Sequence, residues 1–391
     1  MTKQADLAAI LKEAAAWRQD FHRHPETGYD VTRTARRVAE LLQQFQCDEV
    51  VEGVGQSGVV GVIRGAAHES GKVIGLRADM DALPILEETG APYASSIEGK
   101  MHACGHDGHT AILLGTAKYL AQTRAFNGSV VVIFQPAEED AAGGKAMLDD
   151  GLMERFGIDE VYALHNLPGL PLGHIATRSG PIMGTSDEFV ITVSGRGGHP
   201  ASPHKALDTT MVAAQMLLTL NTIVSRNIDP HAPAALGVTM FSTDSKASNI
   251  IAQTVRMEGT IRTLDRTTRQ HMKDRTEEIV TGVAQTFGAE AKVIWTAGYP
   301  IAENAEPQTS AALDAARQVA LAVDDNALPL LQSEDFSYML EAKPGALVFL
   351  GNGASAMLHD PRYDFDDKAI ETGVNWFSSL VELRLPAWPA N

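Results

Sequence analysis

The sequence predicts an α/β chain: a larger mixed-sheet domain, residues 1–182 and 297–391, with a small ferredoxin-like α+β module inserted at residues 183–296. Two observations carry this. Short apolar runs alternate with helical patterns before the insertion and again after it, which is the α/β mode. Within it the order is strand, helix, strand, strand, helix, strand. That is the split βαβ arrangement of a ferredoxin-like module, in a stretch the size of one domain.

Leu7, Ile10, Leu11, Ala14, Trp17 and Phe21 recur at helical spacing and predict an opening amphipathic helix. It stops near His24, because Pro25 disfavours helix in the residue before it. Thr32–Phe45 reads as a second helix. Val59–Arg64 and Val73–Ala78 read as strands, with Gly65–Gly71 as the turn between them. His109–Leu120 is mostly apolar and reads as a helix, and Ser129–Phe134 and Glu160–Leu164 as buried strands. In the insertion, Phe189–Val193, Ala235–Phe241, Thr254–Ile261 and Ala291–Trp295 read as strands, and Leu207–Val224 and Arg266–Phe287 as helices. The larger domain resumes with a helix at Leu313–Val323, a strand at Ala346–Leu350 and a final helix at Lys368–Leu383.

The 391 residues are 44% hydrophobic, ordinary for a soluble globular chain. Lys and Arg number 32 and Asp and Glu 49, a formal charge of −17, which repels nucleic acid and anionic membranes. No apolar run is long enough to span a bilayer. The start, Met1-Thr2-Lys3-Gln4, lacks the basic stretch and apolar core of a signal peptide, so the expected address is cytoplasmic. Two cysteines, Cys47 and Cys104, make no disulfide framework and fit a reducing compartment.

The most informative stretch is MHACGHDGH, Met101 to His109: three histidines, a cysteine and an aspartate in nine positions. Imidazole and thiolate suit borderline divalent ions such as zinc, so such density points to a metal. Other polar groups follow strands: Asp79 and Asp81, Glu138 and Glu139, His165, and His359. In an open α/β sheet, ligands bind outside the carboxyl ends of the strands, so four strands deliver carboxylate or imidazole to one edge. Adjacent carboxylates stay ionised cheaply only beside positive charge. With a metal present, one of Glu138 and Glu139 can ligate while the other acts as general base and then general acid. The insertion carries GRGGHPASPH, Gly195 to His204, one of whose histidines is a candidate for oxyanion stabilisation. Asn249 and Arg262 are its other polar candidates, an arginine fork being suited to a substrate carboxylate.

The strings RADMDALPI, MHACGHDGHTA, FQPAEED, GRGGHPASPHKALD, GTIRT, SEDFSYM and LHDPRYDFDD together resemble the aminoacylase and hippurate-hydrolase branch of the dinuclear metallopeptidase family. The resemblance covers nearly the whole chain, in order. It implies two divalent metal ions, zinc or manganese with cobalt or nickel as alternatives, held by Cys104, His106, Glu139, His165 and His359. By the same resemblance Glu138 is the general base, Asp81 orients a ligand, His199 serves the oxyanion, and Asn249 and Arg262 bind substrate. Asp79 stands where other branches have a ligand histidine. The inserted domain is implied to be a lid that forms a homodimer.

The expected activity is metal-dependent hydrolysis of an N-acyl amino acid, a small-molecule substrate. The alternatives are a dipeptidase or carboxypeptidase on the same site, or a non-catalytic metal-binding protein.

Overall fold

The computed structural model describes residues 6–67, 69–296 and 298–387; the polar start Met1–Gln4 and the boundary position 297 lie outside the described residues. The chain divides into two compact units. One comprises Met1–Gly180, Glu303–Leu328 and Asp335–Asn391, and the other Pro181–Ala302 and Pro329–Glu334.

Among the described residues, the larger unit carries an eight-stranded mixed sheet. Its strands lie in the order Glu49–Val54, Gly58–Arg64, Ser129–Gln135, Val73–Asp79, Glu160–Leu167, Gly345–Gly351, His174–Ala176, Ala322–Asp324. The four from Ser129–Gln135 to Gly345–Gly351 are mutually parallel. Their apolar runs are continuous because both faces are covered. Val130 to Phe134, for example, are all fully buried. At about 1.5–3 kcal/mol per large buried side chain, this burial makes a stiff platform for the loops at the strand ends.

Leu7–Arg23 is a helix, as the spacing predicts. Asp6 caps it by accepting from the Ala9 N–H at 3.2 Å, and Ile10, Ala14, Trp17 and Phe21 are buried. His106–Thr123 is a helix buried along nearly its whole length, which is why its sequence shows no polar face.

The strands expected at 59–64 and 73–78 both form, but they are not paired with each other. Ser129–Gln135 lies between them, antiparallel to the first and parallel to the second. The helix expected at Leu313–Val323 is Glu306–Val319, started by Pro307 in its first turn, where the missing N–H is harmless. Ala322–Asp324 is instead a short strand parallel to His174–Ala176. The strand Glu49–Val54 was not expected. It is a half-exposed edge strand with a weak apolar pattern.

The second unit contains a four-stranded antiparallel sheet in the order Glu290–Thr296, Asp187–Ser194, Thr254–Thr263, Ala234–Thr243. Its helices are Thr209–Leu220 and Arg266–Phe287. Strand burial alternates residue by residue, as in Asp187–Ser194, because helices cover one face. The first helix is shorter than the predicted Leu207–Val224. Asp208 caps it, accepting from Thr210 and Met211, and a π-turn follows at Ile223–Asn227.

Candidate metal centre

The four parallel strands carry the chemistry at their carboxyl ends. Val73–Asp79 ends in Asp79 and leads to Asp81, while Ser129–Gln135 leads to Glu138 and Glu139. Gly345–Gly351 leads to His359. His165, expected just past its strand, lies within it, because pairing with the neighbouring strand continues to Leu167. His106, expected in the loop before a helix, is that helix's first residue, and the preceding Gly105 has φ of +84°. A Cβ on Gly105 would run into Asn166 and Tyr363. Ala137 and His359 are also left-handed, with φ of +54° and +66°. Such residues cost about 1–3 kcal/mol each and persist where surroundings impose them. For His359 the constraint is its main-chain N–H, which donates to the Ala103 carbonyl at 2.8 Å.

Donor atoms of Cys104, His106 and His165 lie within 4.8 Å of one another, and so do those of Cys104, Glu139 and His359. Cys104 Sγ is 3.6 Å from His165 Nε2, and His359 Nε2 is 3.4 Å from Glu139 Oε2. The ring orientations are fixed from behind. His106 Nδ1 donates to the Asp81 carbonyl and His165 Nδ1 to the Asn166 carbonyl, each at 2.8 Å, so both present Nε2 to the centre. His106 Nε2 and Glu139 Oε1 are buried atoms with no hydrogen-bond partner. A cation between them satisfies both.

The electrostatics fit the same conclusion. Burial pushes the Cys104 thiol well above its ordinary range, and Glu139, Glu138 and Asp79 push it further. A bound cation would favour the thiolate. Burial alone would lower His106, but Asp79, the hydrogen bond to Asp81 and Glu139 outweigh it and raise the pKa to about 10. His165, by contrast, is pushed down to about 3 by burial and the neighbouring His109. The thiol, imidazoles and carboxylates match borderline divalent metal.

A second tier explains residues whose roles were open. Asp81 Oδ1 accepts from the Glu138 N–H at 3.0 Å and Oδ2 from the Glu139 N–H at 3.2 Å, so this carboxylate sets the backbone of the acidic pair. Asp79 accepts from His109 Nδ1 at 2.7 Å and from Arg77 Nη1 at 2.6 Å. His109 Nε2 accepts the Asn166 N–H at 2.9 Å, so both its nitrogens are engaged. Sequence reasoning missed Arg77, Gln135, Asn166, Tyr363 and Asp335 as parts of this shell. An arginine inside the otherwise apolar strand Val73–Ala78 was the available signal.

Behind the ligand loop, His22 Nδ1 is 2.8 Å from Asp107 and its Nε2 3.3 Å from Glu87. Burial opposes protonation of His22, but Asp107 and Glu87 outweigh it and raise the pKa to about 9. The folded value exceeds the unfolded one of about 6.5. The pair therefore contributes its full stability below pH 6.5 and loses it as pH rises through 9, on the order of 3 kcal/mol. Denaturant titrations at pH 6 and pH 9.5 should show this loss in the natural protein and a flatter response in His22→Gln. Parallel curves for the two would refute the assignment.

His199, Asn249 and Arg262 belong to the second unit. His199 and Asn249 are exposed and line one open cleft of about 620 Å³ with Gly197, Gly198, Asp244 and Lys246. His199 Nδ1 accepts the Ala201 N–H at 3.1 Å, which leaves Nε2 as the ring's donor atom. Arg262 is half-buried, and its Nη1 donates to Ser333 Oγ at 2.9 Å.

The model of peptidase family M20/M25/M40 matches residues 75–383. The chain belongs to this family. A hippurate hydrolase of Campylobacter jejuni is 40% identical over 366 residues, 93% of this chain and 94% of that protein. An N-acetylcysteine deacetylase of Bacillus subtilis is 35% identical over 372 residues, 94% and 96% of the two chains. The crystal structure of a dinuclear metal-binding M20 peptidase from Bacillus subtilis superimposes with a TM-score of 0.84 at 32% identity, covering 97% of this chain and all of that one. The mixed-sheet unit with its separate antiparallel sheet is the architecture of this M20/M25/M40 group. The protein is thus a metal-dependent enzyme of the amidohydrolase and peptidase class. Among the described residues no helix is long and apolar enough to cross a membrane.

Proposed function

We propose that this M20/M25/M40 member hydrolyses the amide bond of N-acyl amino acids, releasing a carboxylic acid and an amino acid. The observation that carries the reading is the Cys104, His106, Glu139, His165 and His359 donor set with a second glutamate, Glu138, directly beside it. The names of the hippurate hydrolase and deacetylase relatives support the substrate class.

The five residues would hold two divalent ions, with zinc or manganese best matched to the donors and cobalt or nickel as alternatives. When bound, these ions supply Lewis acidity toward a water and toward the amide carbonyl. Glu138 takes the proton of the attacking water and delivers it to the amide nitrogen as the C–N bond breaks. Asp81 holds the backbone of the acidic pair in place for this. The Nε2–H of His199 donates to the oxygen that gains charge, the Arg262 fork binds the substrate carboxylate, and Asn249 adds a further polar contact. A cytoplasmic setting fits the two free cysteines. Homodimerisation through the second unit fits its edge strand Ala234–Thr243, which exposes Met240 and Phe241.

The test is a side-by-side assay of the metal-loaded protein on hippurate, N-acetyl amino acids and dipeptides with a free amino group. Higher kcat/KM on the N-acyl compounds is expected. Preference for the dipeptides would assign a dipeptidase, and no hydrolysis of any would leave a non-catalytic metal-binding protein.

A further inference from the structure

A buried polar cluster in the larger unit reaches the side chain of Glu138, whose main chain Asp81 holds. Arg77 stands inside the Val73–Asp79 strand and is 1% exposed. Its Nε donates to Gln135 Oε1 at 2.8 Å, its Nη1 to Asp79 at 2.6 Å and its Nη2 to Asp335 Oδ1 at 2.9 Å. Asp335 is fully buried. Its carboxylate also accepts from Gln135 Nε2 at 2.8 and 2.9 Å and from the Gly144 N–H at 2.8 Å. The main-chain N–H of the same residue donates to Glu138 Oε1 at 3.3 Å.

We propose that Asp335 is the positioning residue of Glu138, with Arg77 and Gln135 holding Asp335 in place. The proposal rests on reading Glu138 as the general base. A glutamate side chain has several rotatable bonds, and Asp81 fixes only the backbone beneath it. The Asp335 N–H fixes one carboxylate oxygen, and that N–H is itself immobile because the Asp335 side chain is clamped by an arginine, a glutamine and a main-chain amide. A buried ion pair such as Arg77–Asp335 is a weak source of stability, since desolvation offsets its attraction. It is a strong source of orientation, because the guanidinium fork and the carboxylate admit few geometries. Arg77 also ties this clamp to Asp79, whose other oxygen holds His109. One arginine thus orders the base and the shell behind the ligands together.

The test is a double-mutant cycle on the full-length, metal-loaded protein. Asp335→Asn keeps the shape but turns an amide NH2 toward groups that are themselves donors. We expect kcat to fall about 10- to 100-fold, the size expected for a misplacement near 1 Å. KM should stay within about twofold and both metals should be retained on metal analysis. In the Glu138→Gln background, where there is no base left to position, Asp335→Asn should cause no further loss. Unchanged kcat in the single variant, or an equal loss in both backgrounds, would overturn the proposal. If Asp335→Asn does not fold, Gln135→Met removes both Gln135–Asp335 bonds and the Arg77 Nε–Gln135 bond, and leaves Arg77 Nη2 on Asp335. It should lose about tenfold in kcat in the natural background and nothing beside Glu138→Gln. Near-normal turnover by Glu138→Gln alone would remove the base reading and this inference with it. A depleted Glu138→Gln beside an unaffected Asp335→Asn would remove this inference only.

Discussion

Glu138→Gln is expected to keep two metal ions per chain and to lose turnover by roughly 10²- to 10⁴-fold, the usual contribution of a general acid–base group. The side chain is nearly isosteric, and an amide oxygen can still accept from the Asp335 N–H where Glu138 Oε1 does now. Asp81 continues to hold the main chain of the pair. What the amide cannot do is accept the proton of the attacking water or return it to the leaving nitrogen. The loss should fall on kcat, with KM little changed, because the group acts in the transition state. Steady-state kinetics with metal analysis on one preparation checks this, and near-normal turnover in a fully metal-loaded variant would remove Glu138 from the mechanism.

Removing the metals is expected to abolish turnover altogether, and re-adding a divalent ion should restore it. His106→Ala should reproduce the loss without restoration, since it deletes a proposed ligand whose ring is locked in place by the Asp81 carbonyl. The affinity for metal should also depend on pH with a definite sign. In the metal-free protein the Cys104 thiol holds its proton, and His106 is protonated up to about pH 10. Both must deprotonate to ligate, so binding releases protons and weakens as the pH falls. Calorimetric titration in buffers of different ionisation enthalpy reads the proton release directly. Metal affinity independent of pH between 6 and 8 would show that these two groups are not ligands.

Most of the candidate site was legible in the sequence, for a physical reason. Metal ligands are drawn from few residue types, and MHACGHDGH concentrates them beyond what a loop or a helix start requires. The strand ends were legible too, because buried parallel strands are continuous apolar runs and their last residues stand out as polar. Less legible was anything decided by pairing. Nothing local in Val59–Arg64 or Val73–Ala78 says that Ser129–Gln135 will lie between them. Residue type alone does not separate His109 from His106; what sets His109 apart is that the Asn166 N–H on its Nε2 and Asp79 on its Nδ1 occupy both its nitrogens. Asp335 was visible as part of SEDFSYM, but its neighbours Arg77 and Gln135 are some 200 or more positions away along the chain. Short elements such as Ala322–Asp324 escaped because three residues carry no periodicity.

The most direct test of the central claim is anomalous diffraction from crystals of the zinc- or manganese-loaded protein. The account predicts two metal peaks in each chain, bonded between them to Cys104, His106, Glu139, His165 and His359, with His109 bonded to neither. A single peak, a peak on His109, or metal bound away from these five side chains would contradict it.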